Sequence, residues 1–116
     1  MITQTNHTVL IVDDDPDIRH VLCLMCELES YEVVGEAGNG LEAIALAISR
    51  RPDIVILDQL MPFLDGEGTA RMLRTLCPES RIVAFSAILD QKPDWCDTYL
   101  TKSRLNEVAP LLHALI

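Results

Sequence analysis

Short apolar runs alternate with amphipathic stretches along the chain, and this pattern predicts repeated β–α units. Strands are predicted at Val9–Val12, Tyr31–Val34, Ile54–Leu57, Ile82–Phe85 and, more briefly, Asp97–Leu100. Continuous apolar strands are typical of a parallel sheet that helices cover on both faces. With right-handed crossovers, the pattern predicts an α/β fold with an open, doubly wound, five-stranded sheet.

Helices are predicted between these strands from apolar residues at helical spacing. Asp15 is a candidate cap for the first helix, and Pro16 suits its first turn. The predicted inward positions are Ile18, Val21, Leu22, Met25 and Leu28 in the first helix, then Leu41, Ile44, Ala45 and Ile48 in a second that opens at Asn39-Gly40. They continue with Ala70 and Leu73 in a third helix over Gly66–Leu76, and with Leu105, Val108, Leu111, Leu112 and Leu115 in a closing helix that Pro110 would kink.

The stretch from Ile88 to Cys96 has no clean period of 3.6 residues, and it contains Pro93 and Trp95. The fourth helix of the series is therefore expected to be short, distorted or absent. Few buried contacts are expected there, so the amides of residues 89–97 should exchange fastest outside the termini.

Length and charge limit the function classes. The 116 residues, 49% of them hydrophobic, suit a single domain over residues 1–116. A formal net charge of −9 disfavours direct nucleic-acid binding and docking on anionic lipid. No apolar run is long enough to span a membrane, and the polar N-terminus is unlike a signal peptide.

Four cysteines, Cys23, Cys26, Cys77 and Cys96, offer no disulfide framework. Cys23 and Cys26 lie well inside a predicted helix, whereas a reactive pair usually lies at a helix N-terminus. A zinc site would need a second pair or suitably spaced histidines. Buried free thiols in a reducing cytosol are therefore expected.

Polar residues follow the predicted strands, at the edge where ligand sites of such sheets lie. Asp13 and Asp14 end the first strand, Asp58 the third, Ser86 the fourth and Lys102 the fifth. Three converging carboxylates suit Mg²⁺, and a hydroxyl with an ammonium suits a phosphoryl group. The implied chemistry is attack of a carboxylate on phosphorus to give an acyl phosphate.

These residues resemble the receiver domain of two-component response regulators. The resemblance is carried by Val12-Asp13-Asp14-Asp15-Pro16, Leu57-Asp58-Gln59-Leu60-Met61-Pro62 with Gly66, Ser86-Ala87 and Tyr99-Leu100-Thr101-Lys102, in that order. It implies a flavodoxin-like sheet of strand order 2-1-3-4-5 in a cytoplasmic protein.

The resemblance also implies a role for each site residue. Asp58 would accept a phosphoryl group from the phosphohistidine of a sensor histidine kinase or histidine phosphotransferase. Asp14, Asp58 and the Leu60 carbonyl would ligate Mg²⁺, with Asp13 acting mainly through water. Ser86 and Lys102 would contact the phosphoryl group, and Tyr99 would be the aromatic switch. Such a domain is a self-phosphorylating and self-dephosphorylating switch rather than a turnover enzyme, and it controls an output domain, a partner or its own association.

Two features depart from the family pattern. Ser103 follows Lys102 where the family usually has proline after a cis bond, so a trans bond is expected here. Ser86 and Lys102 are only sixteen positions apart, shorter than usual by more than one helical turn. The missing length falls on the helix that the family uses for dimerisation and output.

Two other functions remain open at this stage. A pseudo-receiver would bind partners without ever accepting phosphate. A phosphatase of the haloacid-dehalogenase type would use Asp13 and Asp15 as its aspartate pair, although Asp58 would then have no role. We expect Pro16, Ile18 and Leu22 to form a kinase-docking patch, and Leu60 and Met61 to pack within their loop.

Overall fold

Five parallel strands form one sheet in the order β2-β1-β3-β4-β5. The computed structural model describes residues 7–87 and 91–115. The strands are β1 Thr8–Val12, β2 Glu32–Ala37, β3 Ile54–Leu57, β4 Arg81–Ser86 and β5 Thr98–Thr101. The predicted doubly wound, flavodoxin-like sheet is therefore confirmed, although β2 extends three residues beyond its predicted end and β5 lies one residue later than predicted.

Four α-helices occur in the described residues: α1 Pro16–Leu28, α2 Gly40–Arg50, α3 Gly66–Leu76 and a short α4 Val108–Leu115. The predicted caps are confirmed. The Asp15 carboxylate accepts a hydrogen bond from the Asp17 amide at 2.9 Å, and the Asn39 side chain accepts one from the Glu42 amide. These caps fix where α1 and α2 begin after their strands.

Alternate residues of the central strands contribute to two apolar layers, one on each face of the sheet. On one face, Leu10, Val12, Val55 and Leu57 pack with α2 and α3. On the other, Val9, Ile11, Ile54 and Ile56 pack with α1 and α4. Burial on both faces explains why the strands read as continuous apolar runs.

The predicted inward faces of α1 and α2 are partly wrong. Leu28 is 84% exposed, and Cys26, two residues earlier, is buried instead. In α2, Ala43 and Ala47 lie against the sheet, whereas Leu41 and Ile48 point outward. Residues 41–48 are apolar on nearly every side of the helix, so periodicity could not select the face, and small alanines allow the closest approach.

The closing segment begins as a 3₁₀ helix over Lys102–Glu107 and continues as α4. Its backbone breaks at Arg104, where φ is −109° and ψ is 40°. Pro110 lies in the first turn of α4, a position that tolerates proline, so the predicted kink at Pro110 is wrong.

No helix joins β4 to β5 in residues 87 and 91–97 of the described chain, while residues 88–90 lie outside the described residues. The expectation of few buried contacts is nevertheless wrong for Trp95 and Cys96, which are 5% and 3% exposed and pack on the α2–α3 layer. Asp94 and Asp97 flank them and pair with Arg71 and Arg74 of α3 at 3.6 and 3.1 Å. We call residues 94–97, with these two arginines, the clasp.

The four cysteines are free thiols, as predicted. Cys26, Cys77 and Cys96 are buried, and Cys23 is half-buried. Burial, aided for Cys23 by a hydrogen bond with Glu36, raises the pKa of Cys23 and of Cys26 to about 12. Both groups are therefore protonated at neutral pH, unlike the thiolates of reactive cysteines.

None of the helices in the described part of the chain is long and apolar enough to cross a bilayer.

Candidate phosphoacceptor site

The predicted residues converge at the carboxyl ends of the strands. Asp13 and Asp14 follow β1, Asp58 follows β3, Ser86 ends β4 and Lys102 follows β5. One oxygen from each of the three carboxylates lies within 4.8 Å of the other two. We call these five residues the acidic site.

Asp13 is held by contacts in three directions. Its Oδ1 accepts a hydrogen bond from the Asp15 amide at 2.9 Å, and its own amide donates to the Ala37 carbonyl at 3.0 Å. Its backbone carbonyl accepts a hydrogen bond from Arg19 Nη1 at 2.6 Å. Asp13 is 1% exposed, whereas the neighbouring Asp14 is exposed and free to meet an incoming ion.

Arg19 was missed by sequence reasoning. Its guanidinium bridges the β1–α1 loop to β2, because Nε also pairs with Glu36 Oε1 at 3.3 Å. The Arg19 side chain is 21% exposed, so solvent screens these bonds less than it screens a surface pair. The available signal was a cation in the first turn after the aspartates, where it can reach back to their backbone.

Lys102 reaches the carboxylates without a cis peptide bond, since all described peptide bonds are trans. Its Nζ lies 2.7 Å from Asp13 Oδ2 and 3.3 Å from Asp58 Oδ2. Burial lowers the pKa of Lys102, but hydrogen bonding to Asp13 and the negative charge of Asp58 outweigh that effect and raise it overall. The ammonium is therefore the counter-ion shared by two buried carboxylates.

The carboxyl group of Asp58 has a perturbed pKa. Burial and the charge of Asp13 raise its pKa above the ordinary 3.8, and the Lys102 ammonium and the Ser86 hydroxyl oppose the rise only in part. Asp58 is 3% exposed and Ser86 is 1% exposed. Perturbed carboxyls with a specific charged partner are typical of functional sites.

The loop after Asp58 folds back tightly against β3. The Gly66 amide donates a hydrogen bond to the Gln59 carbonyl at 2.9 Å. A Cβ at position 66 would collide with the Asp58 carbonyl oxygen and crowd the Gln59 backbone. Glycine at position 66 therefore allows α3 to begin directly beside Asp58.

The remaining predicted residues differ in their surroundings. Tyr99 is half-buried and packs on the α2–α3 layer. Met61 packs on the same layer, but the Leu60 side chain is 56% exposed, so the prediction that it packs within the loop is wrong. Leu60 belongs to the loop that the Gly66 amide ties to β3, two residues after Asp58.

The predicted docking patch is also wrong in one residue. Leu22 is 0% exposed and packs between α1 and the sheet, and Ile18 packs half-buried on the same layer. Of the three predicted residues, Pro16 alone is exposed. Any apolar contact with a partner must therefore come from surface residues other than Leu22.

The donor set suits a hard divalent cation. Two carboxylates are buried and one is exposed, and no histidine or thiol from residues 7–87 or 91–115 shares the cluster. Mg²⁺ prefers such oxygen ligands and usually retains several waters, which the exposed side of Asp14 would admit. Asp15, in contrast, caps α1 with its carboxylate and faces solvent, so it is not the partner of Asp13 that a phosphatase would need.

Comparison with known protein families gives a match over residues 9–99 to the response regulator receiver domain. This range covers most of the chain, including Asp13, Asp14, Asp58, Ser86 and Tyr99.

Curated relatives agree with this match. A protein-glutamate methylesterase/protein-glutamine glutaminase of Myxococcus xanthus is 40% identical over 93 residues, which are 79% of this chain and 26% of that protein. The transcriptional regulatory protein PdtaR of Mycobacterium tuberculosis is 44% identical over 80 residues, covering 67% of this chain and 39% of the relative. The chain thus spans well under half the length of these relatives.

Solved structures extend the likeness to the whole fold. The response regulator protein TrrA of Thermotoga maritima, in complex with Mg²⁺ and BeF, is 31% identical, covers 95% of this chain and 99% of that one, and has a TM-score of 0.86. The response regulator domain of CheB from the same organism is 26% identical, covers 95% and 92%, and has a TM-score of 0.82. The chain therefore belongs to the family of response regulator receiver domains.

Proposed function

We propose that residues 1–116 form one receiver domain, a phosphoacceptor switch that takes a phosphoryl group onto Asp58. The observation that carries this proposal is the buried, paired state of Asp58. Its carboxylate lies beside Asp13, and its only described cationic partner is Lys102 at 3.3 Å. A carboxylate destabilised in this way, at the edge where such sheets bind ligands, is suited to act as a nucleophile.

The transfer step needs a phosphohistidine donor, carried by a sensor histidine kinase or a histidine phosphotransferase. An oxygen of Asp58 forms the new bond to phosphorus while the bond from phosphorus to the imidazole nitrogen breaks. The nitrogen keeps the electron pair and takes a proton from solvent. Water later attacks the phosphorus of the acyl phosphate, releases phosphate and restores the carboxylate.

Mg²⁺ is the proposed cofactor, held by Asp14, Asp58 and the Leu60 carbonyl, with Asp13 acting mainly through water. When bound, it would neutralise charge on the phosphoryl oxygens. Lys102 orients the transferred group by its ammonium, and Ser86 offers a hydroxyl to a phosphoryl oxygen. The TrrA structure with Mg²⁺ and BeF supports this assignment by family likeness.

The output proposed is a conformational change that passes from Ser86 to Tyr99. Both residues lie on the strands nearest the clasp, and Tyr99 pairs with Ala84 across the β4–β5 ladder. The target is an output domain, a separate partner or a second copy, since the curated relatives are much longer than this chain. The four free thiols support a reducing, cytoplasmic setting.

The test is Mg²⁺-dependent labelling by a small phosphodonor such as acetyl phosphate, with the modified residue identified by mass spectrometry. We expect a hydroxylamine-sensitive phosphoryl group on Asp58 in the wild type and no label in Asp58→Asn. The control Glu79→Gln, an exposed carboxylate beyond the far end of α3, should label normally. A label on Asp13, or a wild-type chain that binds Mg²⁺ but never labels, would refute the proposal.

A further inference from the structure

Two apolar side chains project into solvent from the loop that follows Asp58. Phe63 is 85% exposed and Leu60 is 56% exposed. Their loop neighbours Met61 and Leu64 pack on the α2–α3 layer instead. Met61 and Leu64 thus bury the apolar side of the loop. Phe63, the only aromatic residue of this loop, is nevertheless exposed to solvent.

The backbone at Phe63 is unfavourable as well. Its φ is +70°, and the Leu64 amide donates a hydrogen bond to the Pro62 carbonyl at 2.8 Å. A hydrogen bond that spans one residue of positive φ is a γ-turn of the rare, strained kind. Glycine or asparagine would adopt this conformation more easily than phenylalanine. Neither burial nor local conformation therefore explains an aromatic residue at position 63.

The position of Phe63 points to contact with another molecule. Asp58 is 3% exposed, so a donor must approach across the loops that border the acidic site, one of which begins with Gln59. That loop is closed by the bond from the Gly66 amide to the Gln59 carbonyl, which holds both ends of the loop beside Asp58. Strained residues of this kind cluster at functional sites.

Charge around the entrance indicates the character of the partner. Four exposed carboxylates, those of Asp14, Asp15, Asp17 and Asp65, flank the two loops that border the acidic site. We call them the acidic collar. A second copy of this chain would bring the same negative charges against the collar, and anionic lipid would be repelled in the same way.

We propose that Phe63, supported by Leu60, is the apolar anchor by which a phosphohistidine-bearing protein docks on this domain. The partner presents an apolar socket for the ring, with lysine or arginine residues that face the acidic collar. Interfaces depend on a few such aromatic anchors surrounded by polar contacts. The inference rests on the proposed phosphoacceptor function, and it replaces the predicted patch that included the buried Leu22.

The experiment compares two donors. The protein donor is the phosphohistidine-bearing kinase core or phosphotransfer domain, chosen from a purified panel, that labels the wild type fastest; the small donor is acetyl phosphate. Phe63→Gly removes the ring at a position whose φ suits glycine. Phe63→Trp restores an aromatic anchor. Leu28→Ser is the matched control, because Leu28 is also about 84% exposed but lies at the end of α1 remote from Asp58.

We expect Phe63→Gly to slow transfer from the protein donor at least about tenfold at subsaturating concentration. It should leave labelling by acetyl phosphate and the urea midpoint unchanged or slightly raised. Phe63→Trp and Leu28→Ser should transfer at close to the wild-type rate, and added salt should slow wild-type transfer from the protein donor.

Equal transfer by wild type and Phe63→Gly from the protein donor would overturn the proposal. So would an equal loss with both donors, which would place Phe63 in the acidic site itself, or labelling of the wild type by acetyl phosphate alone. Failure of the phosphoacceptor function would look different, because the wild type would then resist labelling by acetyl phosphate too.

Discussion

The acidic site lies at the carboxyl ends of the strands, and the clasp lies between the connection from β4 to β5 and helix α3. The two regions differ in how far their negative charges are balanced by positive ones. In the clasp, Asp97 pairs with Arg74 at 3.1 Å, and the exposed Asp94 lies 3.6 Å from Arg71, which also pairs with Glu67. In the acidic site, Asp13 and Asp58 share the ammonium of Lys102, while Asp14 makes no ion pair with any residue that the structure describes. The clasp is neutral, and the acidic site keeps an excess of negative charge.

This difference indicates that the clasp contributes mainly to stability and the acidic site mainly to ligand binding. The clasp surrounds the buried Trp95 and packs on the α2–α3 layer in the connection where a short, distorted or absent helix was expected. The acidic site compensates its buried carboxylates only in part, which costs stability but favours binding of a cation. Stability and activity should therefore respond to different substitutions.

The largest effect should come from Trp95→Ala. Removing a large buried side chain from a packed layer costs about 3–5 kcal/mol of unfolding free energy. Urea denaturation measures this loss, and Leu28→Ala, at an 84% exposed position, should change stability by less than about 0.5 kcal/mol. The folded fraction of Trp95→Ala should still label on Asp58. Loss of labelling in folded protein would break the separation between the two regions.

A smaller effect of opposite sign is expected for Asp58→Asn in the presence of chelator. The folded pKa of Asp58 lies above its ordinary value of 3.8, so the native state holds that proton more tightly than the unfolded chain does. The contribution of Asp58 to stability is then greatest below pH 4 and is lost as pH rises through the folded pKa. At neutral pH, Asp58→Asn should be more stable than the wild type by on the order of 1 kcal/mol.

Urea midpoints from pH 4 to pH 8 measure this gain, which should vanish at the acid end. Asp14→Asn is the comparison variant, and because Asp14 is exposed its effect should stay within about 0.5 kcal/mol. A destabilised Asp58→Asn at neutral pH would mean that the pair with Lys102 outweighs burial and the repulsion from Asp13.

The smallest effect concerns hydrogen exchange along the β4–β5 connection. Gln91, Lys92 and Asp94 are exposed, whereas the Asp97 amide is bonded to the Ile82 carbonyl at 2.9 Å. We expect the Asp97 amide to exchange at least about tenfold more slowly than those of the three exposed residues. Mg²⁺ with a phosphoryl mimic should slow residues 91–94 further. Equal, fast exchange across residues 91–97 would show that the clasp does not hold in solution.

The sheet was predictable because its central strands are buried on both faces and therefore appear in the sequence as continuous apolar runs. The inward face of α2 was not, since Leu41 and Ile48 are as apolar as Ala43 and Ala47 and only packing against the strands selects between them. The clasp was missed for another reason. Arg74 donates a hydrogen bond to the Trp95 carbonyl, and the flanking Asp94 and Asp97 pair with α3. Such contacts between distant segments leave no periodic pattern in the sequence.

The acidic site was predictable in its membership, because parallel strands bring their carboxyl ends to one edge. Its internal bonding was not. Arg19 reaches the Asp13 carbonyl from the first turn of α1, and its place after the aspartates was the one signal in the sequence for this bond. The positive φ of Phe63 could not be predicted from the sequence either, because left-handed turns are expected at glycine or asparagine rather than at an aromatic residue.

Trp95 is also the only tryptophan in the chain, and it is 5% exposed on the layer that carries Tyr99. Indole emission shifts to longer wavelength when the ring becomes exposed to water. Trp95 is therefore an intrinsic fluorescent probe of the layer that a conformational change from Ser86 to Tyr99 would alter. Any repacking between β5 and the clasp would change the emission spectrum of the unlabelled protein. Signal arrival could therefore be timed by stopped-flow fluorescence on the native sequence, without any attached dye.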